Sequence, residues 1–278
     1  MTGEKTLRVL LAAAALGIAA ATSASADEAK PVPEVRPGVL AGYLKPAELP
    51  NSLTLIPPPP ALGSAAAILD QEVASRALTL QGADRFKLAA LDADLSFPAA
   101  AGTFACALGV AVTAEDTPTL YRLLRRVLAD AGGATRAAKN KYMHARPFML
   151  DGQPTCLPSA DQDLRNNGSY PSGHTSIGWA WAVALAEIAP DRAEAILERG
   201  RAFGESRLVC NVHWASDVIE GRVVGSATAA RLHANEDFLD DLKEARREIE
   251  AARAKGLAPQ RDCDLEAQAL KETPWLSP

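Results

Sequence analysis

The chain has 278 residues, of which 48% are hydrophobic, so it can bury one sizeable core within a single domain. Its formal net charge of −5 gives no attraction to a nucleic-acid backbone, so no nucleic-acid partner is expected, and any bound anion requires a local cluster of cations. The most apolar stretch beyond the N-terminal region, residues 177–188, is interrupted by Glu187 and followed by Pro190, so no membrane insertion is expected.

A cleaved secretory signal is predicted for residues 1–26. Lys5 and Arg8 precede an apolar run over residues 9–21, and the small residues 24–26 are typical of a cleavage site. The apolar run is about 13 residues long, whereas a spanning helix needs roughly 20. We therefore expect cleavage near Ala26 and a periplasmic or secreted mature protein with a net charge of about −6.

All of the cysteines lie in the part of the chain that is predicted to be exported: Cys106, Cys156, Cys210 and Cys263. An oxidising compartment favours two disulfide bonds between them. Three pairings are possible, and the sequence does not choose among them. No two cysteines have Cys-x-x-Cys spacing, which argues against a metal site.

Residues 27–63 form a proline-rich arm that ends in Pro57 to Pro60. It is expected to lie over the domain in an extended conformation, and the alternative is a docking site for a proline-binding partner. Ser64 is a predicted N-cap, and Thr117-Pro118 starts a helix that Gly132-Gly133 is expected to end. Helices are predicted over residues 65–78, 83–93, 97–112, 120–131, 175–188, 191–203, 208–231 and 234–255.

These helices predict an all-α fold, a helical bundle over residues 64–256. Loops at residues 146–172 and 204–208 are expected to lead into the helices that carry the polar motifs. No run of alternating strands is evident. Residues 257–278 are expected to form a C-terminal tail in which Cys263 provides a tether.

Three short strings concentrate the residues that are suited to chemistry. They are Lys139 with Arg146-Pro147, then Gly168-Ser169-Tyr170-Pro171-Ser172-Gly173-His174-Thr175, then Ser206-Arg207 with His213 and Asp217. Their cations, imidazoles and carboxylate suit the binding and transfer of a phosphoryl group. Taken alone, each part has an ordinary alternative. His213 and Asp217 could form a surface ion pair, residues 171–174 could be a helix cap followed by a buried histidine, and each Lys or Arg could be a surface cation.

His213 and Asp217 are four residues apart in a predicted helix, which places them one turn apart on the same face. The carboxylate can hold one ring nitrogen and leave the other free to attack. Residues 171–174 precede another predicted helix, whose N-terminal amides can bind phosphate while His174 acts as a general acid. Lys139, Arg146 and Arg207 would neutralise the phosphate oxygens.

Lys139 to Pro147, the core Pro171 to His174 and Ser206 to Asp217 follow one another in this order, with 23 residues in the first gap and 31 in the second. In this order they resemble the type 2 phosphatidic acid phosphatase superfamily, which includes bacterial acid phosphatases and vanadium haloperoxidases. The string from Gly168 to Thr175 is similar to the signature of the class A bacterial nonspecific acid phosphatases. The resemblance extends from about Tyr43 to Arg231.

The resemblance implies a fold of the phosphatidic acid phosphatase and haloperoxidase type and an acid phosphatase that hydrolyses small phosphomonoesters without a metal or other cofactor. It implies His213 as the nucleophile, His174 as the proton donor and Asp217 as the residue that orients His213. It also implies a set of residues that hold the phosphate oxygens: Lys139, Arg146, Ser172, Gly173 and Arg207. A homodimer is also expected by resemblance.

Other residues and activities remain open from the sequence. His144 is a candidate substrate contact, His233 is expected to be structural or exposed, and Tyr170 either lines the entrance or packs. The same residues would also suit a vanadate-dependent haloperoxidase, a soluble lipid-phosphate phosphatase or a phosphate-binding protein without turnover.

Overall fold

The computed structural model describes residue 2, residues 32–272, and residues 274 and 275. The predicted signal and its cleavage site, residues 1–26, lie outside the described residues apart from Thr2. The α-helices are α1 (Ser52–Leu55), α2 (Ala65–Leu78), α3 (Asp84–Asp92), α4 (Ala105–Leu108), α5 (Pro118–Ala134), α6 (Arg136–Tyr142), α7 (Pro147–Asp151), α8 (Asp161–Arg165), α9 (Gly173–Ile188), α10 (Ala193–Val209), α11 (Ala215–Leu232), α12 (Glu236–Ala254) and α13 (Cys263–Ala269). Short 3₁₀ helices cover Pro46–Glu48, Ala99–Phe104, Pro158–Ala160 and Pro190–Arg192.

The predicted all-α fold is confirmed, because the chain is mostly helical. Helix α9 is central and packs against α5, α10, α11 and α12. Its Trp181 is fully buried and donates from Nε1 to the Leu124 carbonyl at 2.8 Å, which satisfies the one polar group of a large apolar side chain. None of the helices among the described residues is long and apolar enough to cross a membrane.

The N-terminal segment contains the two short strands of the structure's described part. There β1 (Glu34–Arg36) and β2 (Val39–Leu40) form a small antiparallel hairpin. Further along the segment, the Tyr43 and Leu44 amides donate to the carboxylate of Asp130 on α5, at 2.8 and 3.2 Å. The Tyr170 hydroxyl donates to the Pro57 carbonyl at 2.7 Å, so this tyrosine packs against the segment.

Several helix ends differ from the predictions. The predicted loop at 204–208 is helical, because α10 continues to Val209, and the predicted helix over 208–231 begins only at Ala215. Residues 210–214 form a turn in which Asn211 has a φ of 59°. Helix α5 runs through Gly132-Gly133 to Ala134, and the predicted helix 97–112 is a 3₁₀ segment followed by α4. The predicted loop 146–172 contains α7 and α8.

Glycines allow α9, α10 and α11 to approach closely enough to join the polar strings. A Cβ on Gly221 of α11 would lie 2.7 Å from the Ser172 carbonyl oxygen. A Cβ on Gly204 of α10 would lie 2.8 Å from Thr175 Cγ2. Because atoms this close must move apart, both positions require glycine for the observed helix spacing.

Replacing Gly221 by alanine is expected to lower the free energy of unfolding by about 1–3 kcal/mol, because the added methyl group forces α11 away from Ser172. Thermal unfolding measures this effect, and the KM for a phosphomonoester should rise as well. Val223→Ala, on the exposed side of the same helix, is the control and should change stability by about 0.5 kcal/mol or less. Equal stabilities of the two variants would contradict the close packing at Gly221.

The structure decides the disulfide pairing as Cys106–Cys263 and Cys156–Cys210. The first bond ties α13 to α4, so the predicted tether of the tail through Cys263 is present. A buried ion pair supports it, because Arg199 of α10 contacts Asp92 of α3 at 2.5 Å and Glu266 of α13 at 3.3 Å. The C-terminal region is therefore anchored to α3 and α10.

Candidate active site

The three strings meet at one end of the bundle, and Arg146 is the residue that joins them. Its Nη1 donates to the Val212 carbonyl at 2.8 Å and lies 3.1 Å from His213 Nε2. Its Nη2 donates to the Gly168 carbonyl at 3.4 Å. Lys139 Nζ donates to the carbonyls of Gly168 and Ser169 at 2.6 and 3.1 Å. The first string thereby contacts both of the others.

His213 does not lie in a helix, contrary to the sequence prediction. It occupies the turn before α11, and Asp217 is the third residue of that helix. Asp217 Oδ2 accepts from His213 Nδ1 at 2.9 Å and from the Trp214 amide at 2.9 Å. The carboxylate therefore caps the helix and fixes the proton on Nδ1, which leaves the Nε2 lone pair directed to Arg146.

Asp217 is fully buried, yet it is held in the charged form. Burial alone would raise its pKa, but the nearby His144 ring and the hydrogen bonds from His213 and the Trp214 amide hold that pKa well below its usual range. Burial lowers the pKa of His213 well below its ordinary value, and the Arg146 charge lowers it further. His213 is thus a neutral imidazole beside a charged carboxylate.

His174 is the second residue of α9, and its two ring nitrogens have different surroundings. Nε2 lies 3.0 Å from the Ala93 carbonyl, and because a carbonyl only accepts, Nε2 carries the hydrogen. The ring stacks on Phe203 of α10 with a centroid separation of 6.5 Å. Burial and the Arg207 charge hold the pKa of His174 well below its ordinary value. Nδ1 is therefore the nitrogen left for proton exchange with a ligand.

Lys139, Arg146 and Arg207 are buried together, and none of them forms an ion pair with an acidic side chain in the described part of the chain. Burial and Arg146 lower the pKa of Lys139 to about 7. Burial lowers the pKa of Arg146 to about 10, and burial with Arg146 lowers that of Arg207 to about 9. Arg207 Nε has no hydrogen-bond partner among the described residues. A buried cation cluster with an unpaired donor is suited to a polyvalent anion.

Ser172 and Gly173 begin α9 beside this cluster. Ser172 Oγ caps the helix by accepting from the Thr175 amide at 3.2 Å, and the Ser172 amide donates to the Asp217 carbonyl at 2.9 Å. The Gly173 and His174 amides are the first two of the helix and have no acceptor within it. These free amides and the positive end of the helix dipole point to an anion site. No group of three or more His, Cys, Asp or Glu side chains in the described part of the chain could hold a metal ion.

Comparison with known proteins identifies the family of the chain. A sequence profile of the PAP2 superfamily matches residues 121–238, which include every site residue named above apart from Ala93. The chain is 44% identical over 208 residues to a non-specific acid phosphatase of Providencia stuartii, covering 74% of this chain and 84% of that protein. It is 40% identical over 209 residues to an acid phosphatase of Zymomonas mobilis subsp. mobilis, covering 75% of this chain and 79% of the relative. It is 40% identical over 208 residues to a non-specific acid phosphatase of Salmonella typhimurium, covering 74% of this chain and 83% of that protein.

The chain belongs to the bacterial non-specific acid phosphatases of the PAP2 superfamily. The resemblance inferred from the three strings is thereby confirmed. The structure brings all eight of this phosphatase's predicted site residues to one end of the bundle. The roles of the individual residues remain predictions.

Two residues that support the site were missed by sequence reasoning. Asp70 of α2 accepts from the Ser216 amide and the Ser216 hydroxyl, both at 2.7 Å, and so caps α11 next to Asp217. Ser169 Oγ donates to Asp217 Oδ1 at 3.3 Å. Ser169 lies within the second string, so its position was a signal, whereas nothing local to Asp70 indicates a partner 146 residues away.

Two further residues that the sequence analysis named, Ser206 and His233, have structural surroundings. Ser206, in the third string, donates to Asp92 at 2.6 Å and accepts from Arg85 at 2.9 Å, so its hydroxyl belongs to a buried network between α3 and α10. His233 pairs with Glu187 at 2.8 Å near the surface. None of these contacts joins Ser206 or His233 to Lys139, Arg146 or Arg207.

The affinity of the phosphatase for sulfate is expected to fall as pH rises through about 7. Sulfate stays a dianion across this range, so a change in its affinity reflects a change in the charge of the protein. Lys139, whose pKa is lowered to about 7, loses its positive charge as the pH rises through that value. Calorimetric titration at a series of pH values measures the effect. Lys139→Arg keeps its charge and should remove most of the dependence. The same slope in both proteins would contradict this prediction.

Replacing Asp217 by asparagine is expected to lower kcat by about tenfold to a hundredfold. The amide oxygen can take the place of Oδ2 and still accept from His213 and Trp214, while the amide nitrogen donates to Ser169. The ring orientation survives, but the negative charge that stabilises the imidazolium is lost. Steady-state kinetics with inorganic phosphate as inhibitor test this, because phosphate affinity should change much less than kcat. An unchanged kcat would remove Asp217 from the mechanism.

Proposed function

We propose that this protein is an exported, metal-independent acid phosphatase that hydrolyses a broad range of phosphomonoesters through a phosphohistidine at His213. The observation that carries the proposal is the environment of His213. One ring nitrogen is fixed by Asp217 and the other lies against a buried cation cluster. An imidazole in this position is a nucleophile directed at the place where an anion would bind.

The first step forms a bond between His213 Nε2 and phosphorus and breaks the bond between phosphorus and the ester oxygen. Lys139, Arg146 and Arg207 stabilise the negative charge on the equatorial oxygens, together with the Ser172 hydroxyl and the Gly173 amide. The leaving oxygen takes a proton from His174 Nδ1. Because the incoming phosphate opposes the charge of Arg207, it raises the pKa of His174 and allows that nitrogen to carry the proton.

The second step returns the enzyme to its starting state. Water attacks phosphorus and gives its proton to His174 Nδ1, and the bond between phosphorus and His213 Nε2 breaks. His213 Nδ1 keeps its hydrogen on Asp217 throughout both steps. Phosphate then leaves with both histidines restored.

Broad specificity and export have separate support. The groups assigned to the substrate all contact its phosphoryl group, so the alcohol is weakly constrained, and relatives from Providencia and Salmonella are named non-specific acid phosphatases. Two disulfide bonds favour an oxidising compartment, in agreement with the predicted signal. The homodimer, the absence of a nucleic-acid partner and the domain boundaries remain predictions from sequence.

Trapping the phosphorylated residue tests this proposal most directly. The protein is treated with chelator, mixed with a radiolabelled phosphomonoester and quenched in base, because phosphohistidine is stable there and labile in acid. Label should map to the peptide that contains His213, and His233→Ala should retain it. Turnover of a chromogenic phosphomonoester without label at His213 would overturn the mechanism.

Parallel assays separate the alternative activities. Halide oxidation with vanadate and peroxide in a protein without phosphatase activity would identify a haloperoxidase. Activity confined to lipid phosphates in micelles would identify a lipid phosphatase. Tight phosphate binding without hydrolysis would identify a binding protein, and each of these results would contradict the proposal.

A further inference from the structure

His144 contacts the side of Asp217 that does not hold the nucleophile. Its Nδ1 lies 3.0 Å from Ser169 Oγ and 3.6 Å from Asp217 Oδ1. The His144 side chain is 28% exposed, whereas Asp217 is completely buried. Sequence reasoning placed His144 as a candidate substrate contact, but these distances direct its Nδ1 to the carboxylate behind His213.

The hydrogen positions follow from the acceptors. Asp217 Oδ1 only accepts, so Ser169 Oγ donates its single hydrogen to the carboxylate and must accept from His144. His144 Nδ1 therefore carries a hydrogen. Nε2 has no partner among the described residues and can take a second proton from solvent without breaking any of these bonds.

We propose that His144 is a positioning residue whose positive charge, acting through Ser169 and Asp217, keeps His213 unprotonated and reactive in acid. This inference rests on the proposed function, because it assigns His213 as the nucleophile. The charge on protonated His144 stabilises the carboxylate and opposes a second charge on the His213 ring. The charge of His144 therefore matters at acidic pH, where the His213 ring must stay unprotonated in order to attack phosphorus.

Other charged groups near His144 do not reverse this effect. Asp70 is the second carboxylate in its electrostatic reach, and two hydrogen bonds from Ser216 occupy it. Tyr170 packs edge-on at a centroid distance of 6.3 Å, and burial raises its pKa, so it stays neutral. The His144 ring, 3.6 Å from the carboxylate, is one of the groups that hold the pKa of Asp217 low, in agreement with the proposed direction of influence.

The test compares His144→Asn, His144→Arg and the control His233→Asn through the pH dependence of kcat/KM on one chromogenic phosphomonoester. Asparagine keeps a donor near Nδ1 without a charge, and arginine keeps the charge at every pH. We expect the acid limb of His144→Asn to move upward by about one pH unit, a loss of about tenfold on its acid side. His144→Arg and His233→Asn should keep the limb of the unmodified protein.

Two outcomes would overturn the inference. The profile of His144→Asn could lie parallel to that of the unmodified protein, which would indicate a structural role, or arginine could fail to restore the limb. Trapping of phosphohistidine in the unmodified protein separates these failures from failure of the proposed function. If His213 carries the phosphoryl label but the acid limbs of His144→Asn and the unmodified protein coincide, only the role of His144 is rejected. If His213 carries no label, the mechanism itself is rejected.

Discussion

Replacing His213 by alanine is expected to reduce kcat/KM by about 10⁴-fold or more and to abolish the labelled intermediate. Alanine removes the nitrogen that forms the bond to phosphorus, and no other imidazole has one nitrogen fixed by a buried carboxylate and the other facing Arg146 in the described structure. Water would have to attack the ester directly within the cation cluster. The remaining rate would reflect the contribution of positioning and charge alone.

The measurement needs both kinetics and binding. Sulfate should still bind His213→Ala, because Lys139, Arg146 and Arg207 remain in place, and this shows that the pocket is intact. The matched control is His233→Ala, which changes a histidine that pairs with Glu187 near the surface. A labelled phosphoenzyme in His213→Ala would contradict the assignment and direct attention to another nucleophile.

Replacing His174 by alanine is expected to have an effect that depends on the leaving group. Loss of kcat/KM should be about 10²–10⁴-fold for an alkyl phosphate, whose alkoxide needs a proton, and about tenfold or less for a nitrophenyl phosphate. The reason is the position of His174, which stacks on Phe203 and holds its Nε2 hydrogen on the Ala93 carbonyl, so that Nδ1 is left for proton transfer. The nucleophile and the cation cluster do not depend on this ring for their hydrogen bonds.

A series of phosphomonoesters with leaving groups of different pKa measures this effect in a single variant. The dependence of log kcat/KM on that pKa should become steeper in His174→Ala than in the unmodified protein. The nitrophenyl substrate serves as the internal control for folding and phosphate binding. Equal losses across the series would show that His174 is not the proton donor and would leave it a structural role.

Local patterns in the sequence were sufficient for much of the fold. Ser64 was predicted to cap a helix over 65–78, and its Oγ accepts from the Ala67 amide at 3.2 Å at the start of α2. The predicted helix over 234–255 corresponds to α12 (Glu236–Ala254). Such features depend on residues within one turn of each other, so a single chain segment contains the required information.

Helix ends near the site could not be predicted in the same way. A loop was predicted at residues 204–208, yet α10 continues because Gly204 packs against Thr175 and Ser206 bonds to Asp92. The turn before α11 looked helical, but it is opened by Asn211 and closed by the bond from the Trp214 amide to Asp217. Tertiary contacts override local propensity at both positions.

The sequence by itself determined the family and the mostly helical fold, and it predicted which residues form the site. Only the tertiary structure decided the disulfide pairing, which ring nitrogen is free in His174 and in His213, and the contacts of Asp217 with Ser169 and His144. The physical reason is that hydrogen bonds and disulfides between distant residues require particular separations and directions. Those separations are set by how closely α9, α10 and α11 pack at their glycines, which no local pattern specifies.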